Sequence, residues 1–230
     1  MHQEFTMRPI ARIHSDFSTK FGVPRQSGLV DSLEATVVFE PEFRNPDALR
    51  GLEGFSHIWL VWVFDQAVRK DWSPTVRPPR LGGNTRMGVF ATRSPFRPNP
   101  IGLSCVKLEE ILHTPDVGTV LVVSGADLMD GTPILDIKPY IPYADSHPEA
   151  LGGFAAVPAG ETLEVIIPPE LLEKVPESRR EALRGVLAQD PRPHYQEDSE
   201  RIYGFGFAGV EVKFSVNGKK LTVRDISAEI

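Results

Sequence analysis

Short runs of β-branched and aromatic residues recur along the first two thirds of the chain. Each run has the length of a β-strand and ends at Gly, Pro, Asn or Asp, and helical periodicity is scarce between the runs. The runs occupy residues 9–15, 34–40, 57–64, 87–93, 103–111, 118–126 and 134–140. Many short strands without alternating helices are typical of a barrel or a sandwich, so the pattern predicts a mainly β fold.

The run at 57–64, HIWLVWVF, is apolar at almost every position and does not alternate. Both faces of such a strand should be covered, one of them by the hydrophobic core. The other cover is either a second subunit, which would make this strand part of a dimer interface, or another layer of the same subunit.

The pattern changes after Tyr143, where a Gly/Ala/Pro-rich connection leads to a second group of elements. Residues 162–168 read as a strand and residues 169–175 as a short helix. We therefore predict a first domain at 1–150 and a smaller α+β domain at 160–230.

Two local signals support the α+β assignment. Ser178 and Glu181 have the spacing of a capping box at the start of an amphipathic stretch, which predicts a helix. Asn217 and Gly218 join two alternating runs, which predicts a β-hairpin.

A GxGxxG pattern at Gly204, Gly206 and Gly209 runs into the strand-like sequence VEVKF. A dinucleotide-binding loop needs a helix after the glycines, so that the pyrophosphate meets the helix N-terminus. The context therefore excludes a Rossmann site, and glycines that alternate with aromatics are more typical of strand packing.

Charge is unevenly distributed in this chain of 230 residues, whose formal net charge is -6. Residues 69–107 contain eight Lys/Arg and one acid, Asp71, whereas residues 149–200 contain eleven Asp/Glu and five Lys/Arg. Such asymmetry indicates one region that faces nucleic acid.

The most informative segment is 80–102, RLGGNTRMGVFATRSPFRPNPIG, in which four arginines stand among glycines and prolines. A guanidinium offers several donors and stacks on flat rings, so the segment suits a loop that holds a charged, planar or phosphorylated ligand. A solvated loop with scattered charge is the alternative.

Cys105 is the only cysteine, which excludes an intrachain disulfide and suits a reducing compartment. Residues 1–15 lack the apolar stretch of a signal peptide, and no apolar run is long enough to cross a bilayer. The histidines show no metal-binding spacing. We expect a cytoplasmic protein without membrane or metal.

Acidic residues at 127–140 offer possible acid/base groups, namely Asp127, Asp130 and Asp136. The alternative is structural: Asp130-Gly131 is a turn signal, and strand alternation would place Ile134, Asp136 and Lys138 on one face, where the last two could form an ion pair. Spacing does not decide between these interpretations.

Two further loops carry polar groups. Residues 24–30, PRQSGLV, offer side-chain donors and acceptors beside a glycine that lets a ligand approach the backbone. Residues 190–195, DPRPHY, place Arg192 and Tyr195 on a proline-stiffened loop that either contacts RNA or simply ends the preceding helix.

Five segments spread over nearly the whole chain are FGVPRQSGLV, RGLEGFSHIWLVWVF, RPPRLGGNTRMGVFATRSPFRPNPIG, DLMDGTPILDIKPYIPYADS and LAQDPRPHY. Together they resemble the TsaA/TrmO-like family of tRNA adenosine methyltransferases. The resemblance implies a homodimer with S-adenosylmethionine (SAM) bound on a small closed β-barrel, so that 1–150 would be the SAM-binding domain. It also implies methylation of N6 of threonylcarbamoyladenosine at position 37, in the tRNA anticodon loop.

The resemblance also implies functional residues. The cofactor contacts would be Gln26, Ser27, Gly28, Phe64, Asp65, Arg93, Leu103, Asp130, Gly131, Thr132 and Pro133. The family commonly has Phe-His where this chain has Phe64-Asp65. The residue types themselves, and not the resemblance, supply the other candidates: Asp130, Asp136 and Asn99 as catalytic residues, and Arg86, Arg97, Arg192 and Tyr195 as RNA contacts.

Two other functions fit the same residues. One is a non-catalytic RNA-binding barrel that uses the basic loop, and the other is a SAM-dependent methyltransferase that acts on a small molecule.

Overall fold

The computed structural model describes residues 4–156, 162–192 and 198–229. Within these ranges the fold is mainly β, which confirms the predicted class. In chain order the strands are β1 (Ala11–His14), β2 (Glu34–Phe39), β3 (His57–Val63), β4 (Thr75–Val76), β5 (Met87–Gly88), β6 (Ile101–Thr114), β7 (Gly118–Ser124), β8 (Pro133–Pro139), β9 (Glu164–Ile166), β10 (Tyr203–Phe207), β11 (Val210–Asn217) and β12 (Lys220–Ala228). The α-helices are α1 (Pro142–Asp145), α2 (Pro169–Leu172) and α3 (Arg180–Ala188).

Six of these strands form a closed ring in the order β1-β2-β7-β6-β3-β8. Every neighbouring pair in the ring is antiparallel. Side chains alternate along each strand, so Ile13, Val37, Ile58 and Leu121 point into the ring and form a fully buried core.

The structure covers one of the two faces of strand β3. Only Ile58, Leu60 and Trp62 are buried, and the intervening residues Trp59 and Val61 are half-exposed on the outer side. The strand therefore alternates in burial although its sequence does not alternate in hydropathy. Within this chain one face is covered, and the outer face is left partly apolar.

The predicted strand at 87–93 is wrong beyond Gly88. Strand β5 ends there, and Val89–Ala91 form a 3-10 turn that is closed by the Thr92 amide and hydroxyl, which both donate to the Val89 carbonyl at 3.1 and 2.8 Å. A local side-chain hydrogen bond thus outweighs the strand propensity of the sequence.

The expected alternation in β8 is also wrong. A bulge places Asp136 opposite Val61 but Ile134 opposite Trp62, so that Leu135 is the extra residue. Ile134 consequently faces the core, and Asp136 and Lys138 face outward. These two side chains form the anticipated ion pair at 2.8 Å.

Strands β4 and β5 pair with each other, and the C-terminal part of the chain builds a four-stranded sheet in the order β10-β11-β12-β9, with α3 packed beside it. The hairpin at Asn217-Gly218 is confirmed, with Gly218 at φ +57°. The capping box is wrong: Ser178 lies in a 3-10 turn, Glu177–Arg179, and α3 follows this turn with no side-chain cap at its N-terminus. Gly204 and Gly206 lie in β10, and a strand follows Gly209. This confirms the prediction that the glycines do not lead into a helix, as a Rossmann site would require.

A segment from the first half of the chain completes the second core. Phe17, Val30 and Leu33, which lie between β1 and β2, are buried among residues of α3 and the four-stranded sheet. Gly22 has φ +97° and packs so closely on Phe205 that a Cβ there would overlap the ring. The predicted domain limits stay a prediction, but the stretch between β1 and β2 contributes to both cores.

Candidate cofactor and RNA site

The predicted cofactor residues converge at one end of the barrel. Here β3 ends beside the start of β6, with Val63 opposite Ile101 and the Phe64 amide donating to the Pro100 carbonyl at 2.9 Å. The loop at 24–30 reaches the same end, because the Gly28 amide donates to the Gly125 carbonyl just after β7 at 2.9 Å. Segments far apart in sequence therefore line one edge.

A chain of hydrogen bonds leads from the barrel core to this edge. The Trp62 indole donates to Ser104 Oγ at 3.0 Å, and Ser104 Oγ donates to Asp127 Oδ1 at 2.5 Å. The backbone amide of Ser27 also donates to the Asp127 carboxylate. Asp127 thus joins β6 to the loop that carries three predicted cofactor contacts.

The environment of Asp127 disfavours its charge. Burial raises the pKa of the carboxyl above its usual range, and the Ser104 hydrogen bond and the charge of Arg93 only partly oppose that effect. Perturbed carboxyls in such positions are typical of functional sites. The sequence did not distinguish this residue from Asp130, because its environment depends on contacts with Ser104 and Ser27, which are distant in sequence.

Arg93 projects into solvent at the same edge and donates a hydrogen bond to Gln26 Oε1. These two residues were both predicted to contact the cofactor, and they lie 67 positions apart in the chain. Leu103 is 53 % exposed on the outer face of β6. The edge therefore offers a cation, amide groups and an apolar surface within one neighbourhood.

The turn at Asp130–Pro133 is tied to the end of β1. The Asp130 carboxylate accepts from the Ser15 amide at 3.1 Å and lies 3.2 Å from His14 Nδ1, and Gly131 adopts φ +75°. Thr132 and Pro133 are buried beneath it. These contacts fix the turn. Both involve Oδ1 of Asp130, and none of the described hydrogen bonds involves Oδ2, which is available to a ligand.

The other two catalytic candidates lie differently. Asn99 is exposed just before β6, and Asp136 lies two strands from Leu103, with Val61 between them. Because Asp136 is engaged with Lys138, the structure favours its ion-pair interpretation. Catalytic roles for these residues stay predictions.

The RNA candidates fall into two groups. Arg86 is exposed next to β5, and Arg97 is half-buried and donates to the Thr92 carbonyl at 3.2 Å. The Arg192 side chain is 15 % exposed and its guanidinium binds both carboxylate oxygens of Asp190, each at 2.8 Å. Tyr195 lies outside the described residues. Asp65, exposed at the start of a 3-10 turn, makes none of the described side-chain hydrogen bonds.

Family models place this chain unambiguously. Residues 12–146 match the tRNA-methyltransferase O N-terminal domain, and residues 160–229 match the TrmO C-terminal domain. The chain belongs to the TrmO family. In agreement with this, a crystal structure of TrmO from Pseudomonas aeruginosa superposes with a TM-score of 0.78 at 33% identity, covering 98% of this chain and 100% of that one.

Two curated relatives of this TrmO family member are similar to it over most of their length. The tRNA (adenine(37)-N6)-methyltransferase of Escherichia coli (strain K12) is 48% identical over 202 residues, which is 85% of this chain and 86% of the relative. A putative S-adenosylmethionine-dependent methyltransferase, RcsF, of Pseudomonas aeruginosa is 43% identical over 86% of this chain and 87% of the relative. In the described part of the chain, no helix is long and apolar enough to cross a bilayer.

Replacement of Asp127 by Asn should change how stability depends on pH. Because the pKa of Asp127 is raised in the folded state, ionisation favours the unfolded chain, and this residue's contribution to stability is lost as pH rises from about 4 through the raised pKa. Asn accepts the same hydrogen bonds without a charge. We expect the urea midpoint of Asp127→Asn, measured over a range from about pH 4 to about pH 8, to exceed that of the natural protein by a margin that grows as pH rises through the raised pKa.

The matched control is Asp116→Asn, in the exposed turn between β6 and β7. It should follow the natural protein at every pH. Equal midpoints for Asp127→Asn and the natural protein at both ends of the range would show that the buried carboxyl has no effect on stability.

Proposed function

We propose that this protein transfers a methyl group from SAM to N6 of threonylcarbamoyladenosine at position 37 of tRNA. We call residues 69–107 the basic segment. The observation that carries the proposal is the convergence of Arg93 and Leu103 of this segment with the Gln26–Gly28 loop and the Asp130–Pro133 turn at one end of the barrel. Membership of the TrmO family and the names of the curated relatives support it.

The residues at this edge fit the chemical parts of SAM. The Arg93 guanidinium matches a carboxylate through paired donors, Leu103 and Phe64 offer apolar surface to a flat ring, and the Asp130–Pro133 turn presents a carboxylate and backbone groups. We include Gln26, Ser27, Gly28 and Asp65 in the same site. When bound, SAM supplies a methyl group on a sulfonium, and no metal is part of the proposal.

The protein's own task is positioning. Displacement at a methyl carbon requires the nucleophile and leaving group in line, so the loops at this edge must orient the adenine and exclude water. The N6 nitrogen is a weak nucleophile, and a polar group that accepts its proton should assist. We assign that role to Asp130, whose position is fixed by Ser15 and His14. Asn99, the alternative at this edge, would orient the N6 proton through a hydrogen bond to its amide oxygen, because an amide is not a base.

The basic segment provides the surface for tRNA. We propose that Arg86 and Arg97 contact anticodon-loop phosphates or the threonyl carboxylate, because arginine binds such anions through several donors. We assign Arg192 to the same surface as well, although its guanidinium also forms an ion pair with Asp190. Tyr195, which follows Arg192 by three residues in the sequence, is the fourth proposed RNA contact.

The proposal extends to the assembly and its location. The partly apolar outer face of β3, with Trp59 and Val61, would be covered in a homodimer whose sites lie near the subunit boundary. We divide the chain into a barrel domain at 1–150 and a C-terminal domain at 160–230, and place the protein in the cytoplasm. Light scattering that gives a monomer mass at micromolar concentration would exclude the dimer.

The direct test uses bulk tRNA from cells that lack this activity. The purified protein and SAM should add one methyl group to threonylcarbamoyladenosine, detected by nucleoside mass spectrometry. Unchanged nucleosides would refute the proposal. Salt-sensitive tRNA binding without heat on SAM titration would identify an RNA-binding module, and SAM binding without tRNA binding would identify a small-molecule enzyme.

A further inference from the structure

Two aromatic rings lie exposed in the basic segment. Trp72 is 51 % and Phe90 72 % exposed, and the rings stack with centroids 6.1 Å apart and an angle of 26° between their planes. Exposed aromatic surface is costly to leave in water, and a preformed stack on a surface loop suggests a binding role. None of the predicted cofactor or RNA residues is part of this pair.

The backbone fixes the pair relative to nearby arginines. Strands β4 and β5 form a two-stranded ribbon with Thr75 opposite Gly88, and the Val89 amide donates to the Pro74 carbonyl at 3.0 Å. This register brings the segments of Trp72 and Phe90 together at one end of the ribbon. At its other end, Arg77 directly follows the paired Val76 and Arg86 directly precedes the paired Met87, so both arginines leave the ribbon at the same end.

Further positive charge lies beside the stack. Trp72 lines a cleft of about 170 Å³ together with Lys70 and Arg97, and in the same cleft the Arg69 guanidinium lies 3.6 Å from the centre of the Phe96 ring. Residues 69–107 contain eight Lys/Arg against the single acid Asp71, in a chain of net charge -6. The positive charge favours a polyanion as the ligand of this surface.

The 3-10 turn Val89–Ala91 connects the stack to the candidate cofactor edge. Phe90 lies in the 3-10 turn that Thr92 closes, Arg97 donates to the Thr92 carbonyl, and Arg93 follows directly. A base that stacks on these rings would therefore belong to a nucleotide close to the reacting one.

We infer that Trp72 and Phe90 form a stacking platform for an unpaired base of the tRNA anticodon loop. Combined aromatic faces and basic side chains are the means by which proteins hold single-stranded nucleic acid, because every base has a face that can stack. The inference rests on the proposed function, since it names the RNA contact of the same site. The platform would add a base-stacking contact that does not depend on base identity, next to the phosphate contacts of the arginines.

The test measures binding of a fluorescent anticodon stem-loop RNA by anisotropy at several salt concentrations. Trp72→Ala and Phe90→Ala should each weaken binding about 10-fold without changing the slope of log affinity against log salt. Trp72→Phe should retain most of the affinity. Arg86→Ala should instead reduce the magnitude of the salt slope by about 1, as expected of a phosphate contact.

Tyr143→Ala is the control, because Tyr143 is 91 % exposed in α1 and lies outside the basic segment. It should bind RNA as the natural protein does. Affinity within twofold of natural for both alanine variants, or an altered oligomer mass that marks the rings as a subunit contact, would overturn the inference. If those variants bind normally while the natural protein methylates tRNA, only the inference fails; if the natural protein neither binds nor methylates RNA, both fail.

Discussion

Arg93→Ala should weaken SAM binding by about 10- to 100-fold and lower kcat/KM for tRNA methylation at least as much. Removal of a charge-assisted hydrogen bond costs about 1.5–3 kcal/mol, and 1.4 kcal/mol corresponds to a factor of ten. The protein should still fold, because the Arg93 side chain is exposed and its described hydrogen bond is to Gln26 alone. Calorimetric titration and steady-state kinetics measure the two effects.

Arg93→Lys separates charge from geometry. A lysine keeps the charge near Asp127 but lacks the planar fork, so its SAM affinity should lie between those of the alanine variant and the natural protein. Arg8→Ala is the control, since Arg8 forms an exposed ion pair with Glu42 at 3.1 Å. SAM affinity of Arg93→Ala within twofold of natural would remove this residue from the cofactor site.

Gly102→Ala should destabilise the protein by about 1–3 kcal/mol, the usual cost of forcing extra atoms into a packed core. Gly102 lies opposite Trp62 across β6 and β3, and a Cβ there would overlap the indole. Trp62 cannot move freely, because it packs on Phe64 and donates to Ser104. A melting temperature lower by about 2–12 °C is expected for a chain of this size.

The substitution should also lower methyl transfer, because displacement of the indole disturbs Ser104 and through it Asp127. A matched control is Gly54→Ala, where an added Cβ meets no atom within 4 Å. Trp62→Leu in the Gly102→Ala background makes room and should cost less stability than Trp62→Leu alone. Additive losses in the double variant would mean that the two residues do not crowd each other.

Local sequence patterns predicted most of the strands, but not which side chains of each strand point into the core. The mainly β fold and the Asn217-Gly218 hairpin follow from runs and turn residues that act over a few positions. The bulge beside Val61, which turns Ile134 inward and Asp136 outward, depends on pairing with a strand some 70 residues away and has no local signal. The capping box at Ser178 was wrong because a 3-10 turn replaced the expected helix start.

The candidate site shows the same division. Resemblance to the family named Gln26, Arg93 and Leu103, and the structure brings these segments to one edge. The sequence named Asp127 as one of three possible acid/base groups but did not single it out, because nothing in the local sequence shows that its carboxyl is shielded from water. The stack of Trp72 on Phe90 was likewise hidden, since its two rings are separated by a ribbon whose pairing the sequence does not disclose.

The segment between β1 and β2 contacts both hydrophobic cores, so we expect them to unfold together. Its Ser27 amide binds Asp127 at the barrel edge, and three residues later Val30 is buried against α3, where Gly185 leaves room for it. Any ligand that orders the loop at 24–30 therefore also holds Val30 in the second core. Binding free energy at the barrel should slow amide hydrogen exchange in α3, and the chain should melt in a single transition although it contains two hydrophobic cores.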